Sequence, residues 1–207
     1  MPRDGRATRE NIMDAAQELV LVQGFSATSV DAVIARAGIT KGTFFYHFKT
    51  KGDLALALVG RYAHLDRTHL DGALARAEEL SRDPLQQILI LVGLFKEEMA
   101  ALTEPFPGCL YASFCYEAGL FDESTLGEIS GAFAYWRDRL RPKFEAILKA
   151  HTPRHPVTAN ELSDMLLGIF EGAFILSKTW NDPAIAVQQL GHYRNYIELL
   201  FDDVSRP

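Results

Sequence analysis

Apolar residues recur three or four positions apart along nearly the whole chain, and no segment of useful length alternates apolar and polar residues. A spacing of three and four places side chains on one face of an α-helix, whereas strict alternation is typical of a half-buried strand. With 207 residues, the chain is long enough to bury a sizeable core. The sequence therefore predicts an all-α fold.

Glycines and prolines divide this helical pattern into segments. A first periodic stretch ends at Gly24, and a short helix that Thr28 or Ser29 caps ends at Gly38. A third short helix is expected at 41–48. For the rest of the chain, the pattern predicts helices at about 51–79, 84–102, 108–120, 124–150, 159–179 and 183–202.

The stretch "AGITKGTFFYHFKTKGDL" places a tight glycine turn between the second and third short helices. Phe44 and Phe48 are four residues apart, so they share one face of the third helix. Helix, glycine turn and short helix together form the plan of a helix-turn-helix, whose second helix lies in the DNA major groove. Composition alone also allows an ordinary helical hairpin with a solvated cationic edge.

The third helix carries its polar side chains away from the two phenylalanines. These outward residues are Lys41, Thr43, Tyr46 and His47. Lysine can donate to guanine acceptors or to a phosphate, threonine can reach a base edge or a thymine methyl, and tyrosine and histidine can bind phosphates. Lys51 begins the next helix, where backbone N–H groups also favour a phosphate.

Residues 8–58 resemble the DNA-binding domain of the TetR (tetracycline-repressor-like) family of bacterial transcription regulators. The resemblance rests on "GFSATSVDAVIARAGITKGTFFYHFKTKGDL". It implies a homodimer on a palindromic double-stranded DNA operator, released by a small-molecule inducer. It also implies a DNA-binding domain in residues 1–50 and a helical ligand-binding and dimerisation domain in residues 51–207.

The resemblance assigns DNA contacts to individual positions. Thr28 matches a phosphate-contacting cap, Lys51 matches a phosphate-binding lysine, and the four outward residues of the third helix match the reading and clamping positions. Phe45 stands where many family members have a tyrosine, so this chain lacks one hydroxyl at the interface. We expect backbone affinity to be slightly weaker and the binding mode to be unchanged.

Charge is distributed unevenly along a chain whose net charge is -6. Residues 1–60 contain seven Lys/Arg and six Asp/Glu, whereas residues 61–207 contain fourteen and twenty-one. This difference confines any DNA-binding surface to the N-terminal quarter. The chain contains no apolar run that could span a bilayer, so we expect a cytoplasmic protein.

Motifs for other functions are weak. There is no nucleophile elbow, phosphate-binding glycine loop or CxxC pair, so no enzymatic activity, metal or cofactor is expected. The alternative function is a small-molecule-binding helical protein or enzyme with a vestigial DNA-binding domain. A vestigial domain would be free to lose its exposed polar residues, yet Lys41, Thr43, His47 and Lys51 are all present.

Large aromatic residues are frequent in "PFPGCLYASFCYEAGLF" and in the later helices. Most of them belong to the core by pattern, and a helical core with so many large rings can leave a ligand cavity. The candidate ligand and sensor residues are Cys109, Phe114, Tyr116, Trp136, Phe174 and Lys178.

Cys109 resembles the sensing cysteine of those family members that respond to electrophiles or oxidants, and Lys178 matches a lysine on a later helix. A first-turn position after Pro107 and Gly108 favours thiolate through the helix dipole. We expect Cys115 to lie deeper among aromatic rings and to react more slowly. The alternative is that Cys109 is a small buried hydrophobe and Lys178 is a solvated helix end.

The helix "ELSDMLLGIFEGAFILSKTW" is apolar around most of its circumference. Gly168 and Gly172 lie four residues apart and allow close helix approach. The pattern predicts a two-fold dimer built from the helices at about 159–179 and 183–202. The alternative is a fully internal core helix.

Overall fold

The protein is described by a computed structural model that covers residues 5–202. Within this range the chain is helical and contains no strand, which confirms the all-α prediction. The α-helices are α1 (Gly5–Gln23), α2 (Val30–Ala37), α3 (Lys41–His47), α4 (Lys51–Leu80), α5 (Pro84–Ala100), α6 (Leu110–Cys115), α7 (Glu123–Ala150), α8 (Ala159–Trp180) and α9 (Ala184–Phe201). A short 3₁₀ helix, Ala118–Leu120, follows α6.

The chain divides into two compact units. The first unit contains the chain up to Asp66 together with Cys109–Ala132, and the second contains Arg67–Gly108 together with the chain from Phe133 onward. Helices α4 and α7 contribute residues to both units. The functional division into residues 1–50 and 51–207 stays a prediction.

Capping residues set the ends of the short helices in the first unit. Gly24 follows α1 with φ +84°, and Gly38 ends α2 in the left-handed conformation with φ +64°. The side chain of Ser29 accepts a hydrogen bond from the N–H of Ala32, so Ser29 caps α2. The hydroxyl of Thr40 accepts from the N–H of Thr43 and caps α3. These caps fix the turn that joins the two helices.

The second unit has an aliphatic and aromatic core to which α5, α8 and α9 contribute. Tyr193 of α9 is fully buried, and its hydroxyl donates to the carbonyl of Leu162 at 2.8 Å. Burial raises the pKa of Tyr193 far above its ordinary value, so the hydroxyl stays protonated. The ring of Phe95 packs against Trp136 and Phe170. Among residues 5–202, no helix is both long and apolar enough to cross a membrane.

The helix expected at 108–120 is much shorter in the structure. Helix α6 ends at Cys115, and the chain turns before the 3₁₀ segment. From this turned segment, Phe121 stacks on Phe114 at 4.5 Å, and the Glu117 carboxylate accepts from backbone N–H groups near residue 25. Tertiary contacts therefore override the helical pattern here.

Candidate nucleic-acid interface

Helix α3 has two chemically different sides. Phe44 and Phe48, the residue that caps the C-terminus of α3, are buried, at 0% and 2% exposure, as their spacing predicts. On the other side, Lys41, Phe45 and Tyr46 are exposed, and Tyr46 reaches 76% exposure. Two further predicted contacts, Thr43 and His47, are half-buried. The helix is therefore fixed by its apolar side and presents a polar and aromatic side.

Local contacts orient the outward side chains. The hydroxyls of Thr40 and Thr43 are hydrogen-bonded at 2.8 Å, and the rings of Tyr46 and His47 meet edge to face at 5.0 Å. The ammonium of Lys41 lies 3.4 Å from an Asp31 carboxylate oxygen, in a pair that is mostly exposed. Exposed pairs of this kind contribute about 0–1 kcal/mol. The Asp31 carboxylate therefore holds the Lys41 ammonium only weakly.

Thr28 and Lys51 face the interior of the first unit. The hydroxyl of Thr28 is buried, donates to the carbonyl of Gly24 at 2.8 Å and accepts from the amide of Gln23 at 3.3 Å. The Lys51 ammonium donates to the carbonyl of Phe25 at 2.5 Å and lies 4.1 Å from the centre of its ring. In this conformation the polar atoms of both side chains bind backbone groups.

The Lys51 ammonium is partly desolvated. Burial lowers the pKa of Lys51, and the charge of the Glu117 carboxylate opposes this shift. The same carboxylate accepts from the N–H groups of Phe25 and Ser26, at 3.1 and 2.7 Å. In the turn between α1 and α2, backbone N–H groups thus donate to the Glu117 carboxylate, and backbone carbonyls accept from the Lys51 ammonium.

Two residues of this region were absent from the sequence prediction, namely Arg61 and Glu117. The guanidinium of Arg61 in α4 donates to Glu10, Asp14 and Gln17 of α1, at 3.2, 2.7 and 2.9 Å. The three acceptors lie four and three residues apart, so they share one face of α1. This polar face was a usable sequence signal for a cationic partner. Glu117 lies more than ninety residues from its partners, and no local pattern indicates its role.

The six candidate ligand and sensor residues are divided between the two units. Cys109, Phe114 and Tyr116 belong to the first, and Trp136, Phe174 and Lys178 to the second. Phe114 is fully buried, whereas Tyr116 is 81% exposed. Their assignment as a ligand site stays a prediction.

The expected burial of the two cysteines is wrong. Cys109 is buried and Cys115 is exposed, the reverse of the expectation that Cys115 lies deeper. The reason is the short α6: Cys109 is the residue before its first turn and makes no side-chain cap hydrogen bond, whereas Cys115 is its last residue. The reactivity of the two thiols stays a prediction.

An aromatic cluster in the second unit joins the loop before residue 109 to α8. Phe106 stacks on Phe174 with ring centres 4.5 Å apart, and Phe174 lies 5.8 Å from Phe170. The Lys178 ammonium donates to the carbonyl of Pro107 at 3.3 Å. Both Phe106 and Phe174 are half-buried. These rings offer an apolar surface with one nearby cation.

Comparisons with known proteins agree with this geometry. Residues 12–58 match the family described as bacterial regulatory proteins, tetR family. The transcriptional regulator AcuR of Cereibacter sphaeroides is 27% identical over 147 residues, which cover 68% of this chain and 63% of that protein, a little under two thirds of its length. An uncharacterised HTH-type transcriptional regulator of Lactococcus lactis is 24% identical over 187 residues, covering 84% of this chain and 93% of that protein.

A solved structure shares the fold over nearly the whole chain. The TetR-family transcriptional regulator from Agrobacterium tumefaciens superposes with a TM-score of 0.75 at 22% identity, covering 93% of this chain and 98% of that one. Residues 12–58, which match the family, contain α2, α3 and the start of α4. This segment includes the buried and the outward sides of the helix-turn-helix. Residues 12–58 therefore form a domain of the bacterial regulatory proteins, tetR family, and the chain as a whole has the fold of solved TetR-family regulators.

Proposed function

We propose that the chain is a homodimeric repressor that holds a palindromic operator through α3 and releases it when a small molecule binds. The observation that carries the proposal is the division of α3 into a buried phenylalanine side and an exposed polar side. A helix that is packed on its phenylalanine side and exposed on its polar side suits insertion into the major groove. In this proposal the protein is cytoplasmic, because its operator lies on bacterial DNA.

The reading surface has its centre on the outward side of α3. Lys41 and Thr43, near the start of the helix, are placed to contact bases. Phe45, Tyr46 and His47 follow and border the phosphates, with Phe45 supplying apolar contact only. Thr28 and Lys51 support the same surface from the interior of the first unit.

The proposed dimer is built from open faces of α8 and α9. In α8, Gly168 and Ile175 are exposed seven residues apart, and a Cβ atom added at Gly168 or Gly172 meets no heavy atom within 4 Å. In α9, Leu199 is 59% exposed. A second copy covers the exposed apolar side chains and approaches closely over the glycines.

The inducer in this proposal is an aromatic or electrophilic small molecule. The half-buried rings of Phe106 and Phe174 offer stacking partners, Trp136 lies in the same unit, and Lys178 adds a cation for an anionic group. The test is operator release by a panel of aromatic acids and neutral aromatics. Phe174→Ala should abolish release while operator affinity without ligand is retained.

DNA selection tests the central claim. Fragments of random DNA retained by the wild type should contain an inverted repeat, because a two-fold dimer reads two half-sites. The double variant Lys41→Ala, His47→Ala should lose the selected site. Its control is Arg76→Ala, which removes an exposed cation of the second unit. Equal retention by the double variant and the control would rule out α3 as the reading helix.

A thiol route to release is a separate part of the proposal, with Cys109 as the sensor. Wild type, Cys109→Ser and Cys115→Ser are treated with a quinone, and thiol modification and operator release are followed together. Because Cys115 is exposed, it should be modified first without release. Release should follow the slower modification of Cys109. Equal release from wild type and Cys109→Ser would leave a non-covalent ligand as the inducer.

A further inference from the structure

The turn between α1 and α2 is held from two sides by opposite charges. The Glu117 carboxylate accepts from the N–H groups of Phe25 and Ser26, and the Lys51 ammonium donates to the carbonyls of the same two residues, at 2.5 and 3.4 Å. Each charged group therefore binds one side of the same short backbone segment. We name this arrangement, formed by residues 24–26, Lys51 and Glu117, the turn clamp.

Apolar contacts fix the centre of the turn clamp. The Phe25 ring lies 5.2 Å from Phe114 and 4.8 Å from Phe121, and the Lys51 ammonium lies over its face. The Phe25 side chain is thus held by a cation–π contact and by ring packing, while its backbone is bound by Glu117 and Lys51. The two phenylalanines flank Glu117 in the chain, so one segment supplies both the rings and the carboxylate.

Gly24 shows how closely the carboxylate approaches. Gly24 has φ +84°, and a Cβ atom added there would lie 2.6 Å from Oε1 of Glu117. A side chain at this position would displace the carboxylate from the turn. Glycine is therefore required both by the backbone conformation and by the room that Glu117 occupies.

We propose that Glu117 and Lys51 are positioning residues for operator binding, which act by holding the α1–α2 turn and thereby the start of α2. The turn leads within four residues to Ser29, the cap of α2, and α2 leads through Gly38 into α3. The inference rests on the proposed function. It assigns Lys51 a role inside the first unit in place of a phosphate contact.

The sign of the Glu117 effect separates positioning from direct electrostatics. Removing an anion from a DNA-binding unit strengthens its attraction to DNA when charge alone matters. The turn clamp predicts the opposite, because a looser turn leaves the reading helix less well placed. Glu117→Gln keeps the size of the side chain and removes the charge. We expect Glu117→Gln and Glu117→Ala to bind the operator more weakly, by about tenfold for alanine.

The salt dependence of binding separates the two roles of Lys51. A lysine that neutralises a phosphate contributes about one unit to the slope of log affinity against log salt concentration. Lys51→Ala should weaken binding while leaving this slope unchanged, whereas Lys41→Ala should lower it. Glu128→Gln, an exposed carboxylate of the same unit, is the control and should not weaken binding.

Amide hydrogen exchange tests the turn clamp without DNA. In Glu117→Ala, the amides of Phe25 and Ser26 should exchange at least about tenfold faster, while the amides within α1 keep their wild-type rates. Wild-type exchange at both amides would overturn the clamp. Operator binding by Glu117→Gln at or above wild-type affinity would overturn its role in positioning, and so would a salt slope lowered by Lys51→Ala. Failure of the wild type to bind any DNA would instead refute the proposed function, and the exchange result would still stand.

Discussion

Helices α3 and α8 expose opposite kinds of surface. On α3 the large rings Phe44 and Phe48 are buried, and the exposed side carries a lysine and an aromatic hydroxyl. In the middle of α8, between residues 162 and 177, the exposed positions are Gly168 and the aliphatic Ile175. A polar exposed side suits a charged, hydrated partner, whereas small and apolar residues suit another protein surface. The contrast supports the proposal that α3 faces DNA and that α8 faces a second copy of the chain.

Truncating a buried phenylalanine of α3 should have the largest effect of the changes proposed, on the free energy of unfolding. Phe44 is fully buried and contacts the rings of Phe45 and Phe48. Phe44→Ala should lower the free energy of unfolding by roughly 3–5 kcal/mol through lost burial and a cavity. Tyr46→Ala, on the exposed side, should change it by less than about 0.5 kcal/mol. Urea denaturation followed by circular dichroism measures both, and similar losses would erase the difference between the two sides.

A charge on the open face of α8 tests the second half of the contrast. Gly168→Glu places a carboxylate where the protomer leaves open space, so the helical content should be retained. In the dimer the charge is buried without a partner, and the dissociation constant should rise by about 100-fold, or roughly 2.7 kcal/mol. Sedimentation equilibrium measures the change.

The matched control for this variant is Gly127→Glu, on an exposed and equally open position of α7 in the first unit. It adds the same side chain to a helix position of the first unit, where a Cβ atom meets no heavy atom within 4 Å. An unchanged dimer in Gly168→Glu, or equal dissociation of both variants, would remove α8 from the interface.

The second unit also contains a carboxylate whose partners are side chains, unlike Glu117, which binds backbone. Asp71 accepts from the hydroxyl of Tyr135 and from the guanidinium of Arg139, at 2.5 and 2.7 Å. The Tyr135 hydrogen bond is the largest cause that lowers the pKa of Asp71, and Arg139 adds to it. Since the folded pKa lies below the ordinary value of 3.8, the stabilisation is complete above that pH and is lost as pH falls further.

Tyr135→Phe should therefore cost about 0.5–1 kcal/mol of unfolding free energy at neutral pH, a small value because Asp71 is partly exposed. Its difference from the wild type should shrink as pH falls below about 4. Thermal unfolding from pH 7 to pH 3 follows this change. Tyr116→Phe alters a hydroxyl on an exposed side chain and should match the wild type throughout. A pH-independent difference for Tyr135→Phe would contradict the assignment.

The smallest effect is expected at one exposed cation of α3. Lys41→Ala should weaken operator binding several-fold and lower the salt slope by about one per subunit. Lys149→Ala removes an exposed cation from the second unit and should leave the slope unchanged. Fluorescence anisotropy at several salt concentrations gives both slopes. Equal slopes for the two variants would place DNA contacts away from Lys41.

The helical pattern was sufficient for the first three helices and for most of the later boundaries. Helix α2 ends at the predicted Gly38, and α3 begins at the predicted residue 41, because helix ends depend mainly on neighbouring residues. The same holds for the buried side of α3, since two phenylalanines four residues apart share a face wherever the helix lies.

Longer-range contacts decided what the pattern could not. Local spacing predicted one helix at 108–120, but the structure turns this segment so that Phe121 meets Phe114 and Glu117 meets the α1–α2 turn. Local spacing also placed Cys115 deeper than Cys109, whereas the end of α6 leaves Cys115 exposed. Burial depends on which segments pack together, and that information is not contained in the neighbours of a residue.

By itself, the sequence determined the all-α class, the helix-turn-helix and the side of α3 that is buried, because spacing, caps and turn residues act over a few positions. Only the tertiary structure decided which side chains hold the first unit together. The Lys51 ammonium binds carbonyls 25 and 26 residues away, and the Glu117 carboxylate binds N–H groups 91 and 92 residues away. Such bonds form only when folding brings distant segments into contact, since no local pattern encodes the partner of a charged side chain.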